Sequence, residues 1–204
     1  MNDVVRWARA LQALSQTGLE YAAGPYDRER YAAVQRIAAE MAAWAGGEEP
    51  AALLASFAEE SGYRTPKVDV RGVVLGAEGL LLVREPESDG WCLPGGWADV
   101  GETPSRAVQK EVGEEAGISV RAVRLLGIFD RDFRGRLRWP AHVYKLYVQC
   151  EPLGGTPTPD GVETEAAGYF PLDALPPLSA KTPAEQLARA LAVAADPAAA
   201  AAFD

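Results

Sequence analysis

Four glutamates lie within fourteen positions of the stretch GGWADVGETPSRAVQKEVGEEAGI, which begins at Gly95; they are Glu102, Glu111, Glu114 and Glu115. Thr103 and Pro104 are the residue types that begin a helix, and Gly117 is typical of a helix end. The spacing therefore predicts a helix over about 104–116. Glu111, Glu114 and Glu115 stand at i, i+3 and i+4, so the three carboxylates share one face of this helix.

Carboxylates held this close repel each other, and water screens the repulsion less beside apolar packing. Val108, Val112 and Ala116 form an apolar stripe that places Glu115 at the edge of the core, whereas Ala107 is predicted to lie within the carboxylate face. A hard divalent cation with oxygen ligands would remove the repulsion. The alternative is an ordinary acidic helix face in contact with solvent.

Glycines precede the helix at positions 95, 96 and 101. Glycine lets backbone approach a phosphate closely and adopt positive φ, and a helix start offers unpaired N–H groups to an anion. Each feature alone is weak, because such loops often only make turns. Together they predict a phosphate-approaching loop beside a metal-binding helix.

The same residues resemble the signature of the Nudix hydrolases. Gly96 is followed after five residues by Glu102, and seven residues later come Lys110-Glu111-Val112-Gly113-Glu114-Glu115-Ala116-Gly117-Ile118. The single departure is Lys110, where the family has arginine; lysine keeps the charge but loses the planar fork. The N-terminal stretch LQALSQTGLEYAAGPYDRERYAAVQRIAAEMAA is similar to the helical preface of a Nudix subgroup that acts on nucleoside diphosphates linked to another group.

This resemblance implies a Mg²⁺-dependent hydrolase, with Mn²⁺ as a substitute ion, that releases a nucleoside monophosphate from ADP-ribose, CDP-choline or a related molecule. It implies that Glu111, Glu114, Glu115 and Gly96 hold the metal. Glu102 and Lys110 belong to the implied catalytic set. A glutamate from a later loop serves as general base in some members, which makes Glu163 and Glu165 the candidates here.

Substrate contacts are predicted at Gly95, Gly96, Arg84 and Arg131. Arg84 ends an apolar run and could meet a phosphate, although a surface salt bridge is an equal alternative. Arg131 opens a basic segment, 131–138, whose four arginines lie near Phe133 and Trp139 in the sequence. This segment suits anion and base binding, or is a mobile surface loop.

Two parts of the chain are predicted to position these residues. Residues 1–64 form a small all-helical domain whose core is thin by itself, so we expect it to pack on the rest of the chain or on a second subunit. The resemblance implies a homodimer. Residues 65–204 form a domain of strands around the central helix, with a hairpin near Gly76–Gly79 and a closing helix capped by Thr182 with Pro183 at its first position. The fold class is α+β, a Nudix-type α/β/α sandwich with a mixed sheet.

The net charge and the apolar runs of the sequence limit the partners and the cellular location that we expect. The formal net charge of -9 disfavours duplex nucleic acid as a partner. No run reads as a signal peptide or a membrane span, so a cytoplasmic protein is expected. The resemblance implies a small nucleotide substrate. Two alternatives remain at this level: a nucleotide-sensing module without turnover, and an exonuclease-like activity on RNA ends.

Overall fold

The computed structural model describes residues 2–47, 49–58, 61–86, 88–131 and 142–204. The chain divides into two compact units. One contains the described residues through Lys67 together with His142, and the other contains Val68–Arg131 and Val143–Asp204. The predicted segment Arg134–Trp139 of the basic loop lies outside the described residues.

The first unit consists of three helices, α1 (Asn2–Tyr21), α2 (Pro25–Gly46) and α3 (Pro50–Ala58). Its core is built mostly from small side chains, with two larger ones from α3, namely Ala8, Ala38, Ala39, Ala42, Ala43, Leu53 and Phe57. The Tyr31 ring lies so close to Gly18 that a β-carbon there would be 2.4 Å from it. Alanine and glycine therefore let α1 and α2 approach closely. Because these residues are small, each buries little apolar surface.

The second unit is built on a mixed six-stranded sheet in the order β5-β2-β1-β4-β3-β6. The strands are β1 (Lys67–Gly76), β2 (Gly79–Arg84), β3 (Ile118–Asp130), β4 (Val143–Gly155), β5 (Ala166–Phe170) and β6 (Ala202–Phe203). The β1/β2, β2/β5 and β3/β4 pairs are antiparallel, whereas β3 and β6 are parallel.

Both faces of the sheet are covered, because successive strand residues alternate between two cores. Leu81 and Val83 pack in a cluster with the helix α4 (Pro104–Ala116), while Leu80 and Leu82 pack in a second cluster with α5 (Ala184–Ala195). This arrangement confirms the predicted α+β sandwich with a mixed sheet. None of the helices in the described part of the chain is both long and apolar enough to cross a membrane.

The ends of α4 agree with the sequence prediction, and the start of α5 does not. The Thr103 hydroxyl accepts a hydrogen bond from the Arg106 N–H at 3.3 Å, and Gly117 ends α4 with φ of +67°. Pro183 is the residue that precedes α5, with no side-chain cap. The predicted cap at Thr182 is therefore wrong: its buried hydroxyl accepts a hydrogen bond from the Leu93 N–H at 2.9 Å, which fixes the start of the glycine loop.

Candidate active site

The glycine loop, residues 93–96, runs alongside β1 and is bonded to it through backbone atoms. The Val70 N–H donates to the Gly96 carbonyl and the Gly72 N–H donates to the Pro94 carbonyl, each at 2.8 Å. Gly95 has φ of +143°, and a β-carbon there would lie 2.0 Å from the Val70 carbonyl oxygen. Only glycine fits this position, since both the backbone conformation and the space exclude a side chain.

Two carboxylates of α4 meet the loop at its two consecutive glycines. Glu115 is buried, and its Oε2 accepts a hydrogen bond from the Gly95 N–H at 2.8 Å. Glu111 lies one helical turn earlier, and its Oε2 would be 2.7 Å from a β-carbon on Gly96. The prediction that Glu115 lies at the edge of the core is confirmed. Ala107, predicted within the carboxylate face, is instead buried in the cluster between α4 and the sheet.

Both carboxyl groups are harder to ionise than usual. Burial raises the pKa of Glu115 to about 7, while the Gly95 N–H and the Arg71 charge oppose that rise. Burial also raises the pKa of Glu111; Lys110 opposes this, and the neighbouring Glu114 and Glu163 add to it. Two carboxylates placed side by side in partly dehydrated surroundings favour a bound cation.

Of the other predicted members of the acidic set, Glu114 lies toward solvent, whereas Glu102 is partly buried. Glu114 is exposed on the outer side of α4. Glu102 lies 3.9 Å from Arg106 in a weak ion pair. The Lys110 ammonium donates to Asp99 at 2.8 Å, so it joins α4 to the end of the glycine-rich segment. The hydrogen bond that Lys110 donates to Asp99 raises the pKa of Lys110, which stays charged.

The two later glutamates differ in what they contact. The Glu165 carboxylate pairs with Arg84 at 2.8 Å, and the Arg84 guanidinium also lies 5.7 Å from the centroid of the Trp91 ring. Glu163 is exposed in a turn built on Asp160, which accepts hydrogen bonds from the Val162, Glu163 and Thr164 N–H groups. Burial mainly raises the pKa of Glu111, and the Glu163 charge adds to that rise.

Arg131 lies farther along the chain, directly after β3. Its N–H donates to the Val143 carbonyl at 2.9 Å, and its charge helps lower the pKa of Lys145. The structure therefore places Arg131 near β4, and it places Arg84 at the end of β2.

Sequence reasoning missed three residues that support the site. Asp69 and Arg71 of β1 form a buried bidentate ion pair, and Thr164 donates a hydrogen bond to the Glu115 carbonyl at 2.7 Å. For the ion pair, the available signal was two opposite charges two residues apart in VDVRGVV, an otherwise apolar stretch of the strand. Charges on a buried strand are rare unless they pair.

The chemistry of these donors fits a hard cation. Within the described ranges, no three side chains of His, Cys, Asp or Glu converge closely enough to hold a metal ion by themselves. Mg²⁺ does not need such a cage, since it is commonly bound through one or two carboxylates, with waters and substrate phosphates completing the octahedron. Glu111 and Glu115, beside the consecutive glycines Gly95 and Gly96, match that requirement.

Two family profiles match the chain. The NUDIX domain matches residues 65–191. A second profile, described as the UDP-X-like N-terminal oligomerisation domain, matches residues 2–57. Their junction falls in the region where the sequence predicts the end of the helical segment.

Several relatives resemble the chain over much of its length. YjhB of Bacillus subtilis (strain 168), whose name gives ADP-ribose pyrophosphatase as a provisional activity, is 38% identical over 174 residues, or 85% of this chain and 83% of its own. NudC of Pseudomonas aeruginosa (strain LESB58), named as an NAD-capped RNA hydrolase, is 31% identical over 128 residues, which cover 58% of this chain and 42% of NudC.

Two solved structures share both sequence and fold. An ADP-ribose pyrophosphatase from Streptococcus suis 89-1591 is 41% identical with a TM-score of 0.60, covering 69% of this chain and 100% of its own. A UDP-X diphosphatase is 30% identical with a TM-score of 0.63, covering 99% of this chain and 98% of its own. With the glutamates of α4 set against the glycine loop, these similarities show that the chain belongs to the Nudix hydrolase family.

Proposed function

We propose that this Nudix hydrolase is a Mg²⁺-dependent pyrophosphohydrolase that cleaves nucleoside diphosphates linked to a second group, X. The products would be a nucleoside monophosphate and phosphorylated X. The observation that carries the proposal is the contact of Glu111 and Glu115, one turn apart on α4, with the consecutive glycines of one loop. The names of the ADP-ribose pyrophosphatase and UDP-X diphosphatase relatives support the substrate class.

The ion would be held by Glu111 and Glu115, with Glu114 and the Gly96 backbone as further ligands. When bound, Mg²⁺ neutralises charge on the pyrophosphate oxygens and favours ionisation of water. The glycine loop contributes by admitting a phosphate close to its backbone, which a β-carbon at position 95 or 96 would obstruct. Lys110, through its hydrogen bond to Asp99, would hold the segment before α4 against the helix. Glu102, paired with Arg106, would orient groups at the start of α4.

Glu163 is our candidate for the general base. The Glu163 charge adds to the rise that burial causes in the pKa of Glu111, whereas the Glu165 carboxylate is held by Arg84. The attacking water would transfer its proton to a Glu163 oxygen as the new bond to phosphorus forms, while the bond from that phosphorus to the bridging oxygen breaks and the other phosphate leaves with its electron pair. Arg84, stacked near Trp91, would then meet a phosphate or the X group at the end of β2, and Arg131 would contact the substrate from the far end of β3.

The test is a substrate panel with Mg²⁺ or Mn²⁺: ADP-ribose, a UDP-sugar, CDP-choline and an NAD-capped oligoribonucleotide. Glu111→Gln and Glu115→Gln should each lose most of the rate on the preferred substrate. Glu151→Gln, which changes an exposed carboxylate paired with Arg121, should not. Full activity in Glu111→Gln would refute the assigned site, and saturable binding of every nucleotide without product would identify a sensing module instead.

We also propose that the protein is a homodimer formed through α1 and α2. The support is the match of residues 2–57 to an oligomerisation domain, together with exposed aromatic side chains on these helices. Trp7 is 51% exposed and Trp44 is 76% exposed, unusually high for tryptophan. Light scattering after size exclusion should give twice the chain mass, and Trp44→Glu should shift that mass toward the monomer.

A further inference from the structure

Arg71 is buried in the middle of β1 and is bonded in three directions. Its Nε donates to Asp69 Oδ1 at 2.7 Å and its Nη2 donates to Asp69 Oδ2 at 2.9 Å. Its Nη1 donates to the Leu93 carbonyl at 3.1 Å. Asp69 therefore orients the guanidinium, and the guanidinium holds the first residue of the glycine loop.

Stability alone is a poor reason for this ion pair. Two charges inside a strand that otherwise packs valines must give up their hydration, and apolar residues of similar volume are often as stable or more so. The pair also recruits a third charge, since the buried Lys145 ammonium lies 3.9 Å from Asp69 Oδ2 and donates to the Lys181 carbonyl. The cluster joins β1, β4 and the segment before α5 beneath the loop.

The loop is bonded along its length by this cluster and by its neighbours. Leu93 is held at both its polar backbone atoms, by Arg71 on its carbonyl and by Thr182 on its N–H. Gly96 is held through its carbonyl by the backbone of β1. The peptide between them, at Gly95, is thereby left to direct its N–H at the Glu115 carboxylate.

We propose that Arg71 is a positioning residue for the hydrolysis: its guanidinium, oriented by Asp69, fixes the glycine loop at the place where the Gly95 N–H holds the Glu115 carboxylate toward the ion. This inference rests on the proposed function, because it takes Glu115 as an ion ligand. Groups that orient metal ligands from behind typically change metal affinity or activity by about 10- to 100-fold when they are removed.

The experiment compares Arg71→Met and Arg71→Lys with Arg124→Met as the matched control. The Arg124 guanidinium also donates hydrogen bonds to backbone carbonyls, those of Val193, Asp196 and Pro197. Arg124, however, connects β3 to the end of α5. Mn²⁺ binding to the substrate-free protein is measured by electron paramagnetic resonance, the melting temperature by calorimetry, and kcat and KM with ADP-ribose at saturating Mn²⁺.

Arg71→Met should weaken Mn²⁺ binding and lower kcat by about tenfold or more, with a much smaller change in KM. Arg71→Lys should recover part of both losses, because lysine can reach Asp69 or the Leu93 carbonyl but lacks the planar fork. Arg124→Met should lower the melting temperature while leaving Mn²⁺ affinity and kcat near wild type. If Arg71→Met does not fold, the Mn²⁺ affinity and kcat of Arg71→Lys decide whether the inference holds.

Wild-type Mn²⁺ affinity in both Arg71 variants would overturn the inference, as would equal losses in Arg124→Met. Glu115→Gln separates this failure from failure of the proposed function. If Glu115→Gln weakens Mn²⁺ binding while the Arg71 variants do not, only the positioning role is refuted. If Glu115→Gln binds Mn²⁺ like the wild type, the proposed metal site itself is wrong, and this inference falls with it.

Discussion

Replacing Gly96 by alanine should damage catalysis while sparing the fold. The new β-carbon would lie 2.7 Å from Oε2 and 3.2 Å from Cδ of Glu111. Gly96 does not adopt positive φ, so its backbone accommodates alanine without strain. The atoms that obstruct the methyl group belong to the far end of a flexible side chain, so the carboxylate can move aside and the main chain can stay in place.

The size of the effect follows from that displacement. To restore ordinary van der Waals contact, Glu111 Oε2 must withdraw from 2.7 Å to at least 3.4 Å from the new carbon. Misplacing a catalytic group by about 1 Å costs up to about 100-fold in rate, so we expect kcat to fall by roughly 10- to 100-fold. The free energy of unfolding should change by less than about 1 kcal/mol, because no buried group loses its partner.

The assay is steady-state hydrolysis of the preferred substrate across a Mg²⁺ series, paired with urea unfolding of the same preparation. Gly113→Ala is the matched control, since it adds the same methyl group to α4 where nothing lies within 4 Å. It should stabilise the protein by up to about 1 kcal/mol through helix propensity, with an unchanged rate. Wild-type kcat in Gly96→Ala would refute the reasoning. So would a fall in the free energy of unfolding that is large enough to account for the lost activity.

Three further predictions concern the support of the loop. Gly95→Ala places a β-carbon 2.0 Å from the Val70 carbonyl oxygen at φ of +143°, so urea unfolding should show a loss of about 3 kcal/mol or more, unlike Gly96→Ala. Thr182→Val leaves the buried Leu93 N–H without its acceptor and should cost about 1–3 kcal/mol in the same measurement; a loss no larger than that of Thr156→Val would contradict it. Burial lowers the pKa of Lys145 to about 7 from its ordinary 10.5, so the unfolded chain binds the extra proton between these values, and the Lys145 contribution to stability should rise with pH across that window by up to about 1.4 kcal/mol per unit. Lys145→Met should flatten this rise in urea midpoints measured at several pH values, and an unchanged slope would show that Lys145 titrates normally.

The parts of the site that sequence predicts are those governed by local chemistry. Thr103, Pro104 and Gly117 bound α4 where expected, because capping depends on residues within one turn of the helix end. The apolar stripe of α4 also placed Glu115 at the edge of the core. Helix periodicity, however, assigns a residue to a face without saying how wide the buried face is. Ala107 was wrongly placed for that reason, since the sheet covers α4 beyond the Val108–Val112 stripe.

Contacts between distant segments could not be predicted in this way. Thr182 has the composition of a helix cap, yet its hydroxyl serves Leu93, 89 residues earlier in the chain. The C-terminal stretch reads as a simple alanine-rich tail, yet Ala202 and Phe203 pair with β3 as a parallel strand. In each case the local preference is worth about 1 kcal/mol or less, so a partner brought in by the fold outweighs it.

The cluster under the glycine loop shows why such contacts matter for function. Gly95 and Gly96 let the loop approach a phosphate closely. Glycine also loses more conformational entropy on folding than other residues, so these two residues do not fix the conformation of the loop by themselves. Its geometry must therefore come from neighbours, and here the neighbours are polar groups on β1 and before α5, including Arg71 and Thr182. Apolar side chains alone would pack against the loop without fixing the orientation of each peptide group. Directed hydrogen bonds to Leu93 set that orientation, and the Gly95 N–H then meets the Glu115 carboxylate.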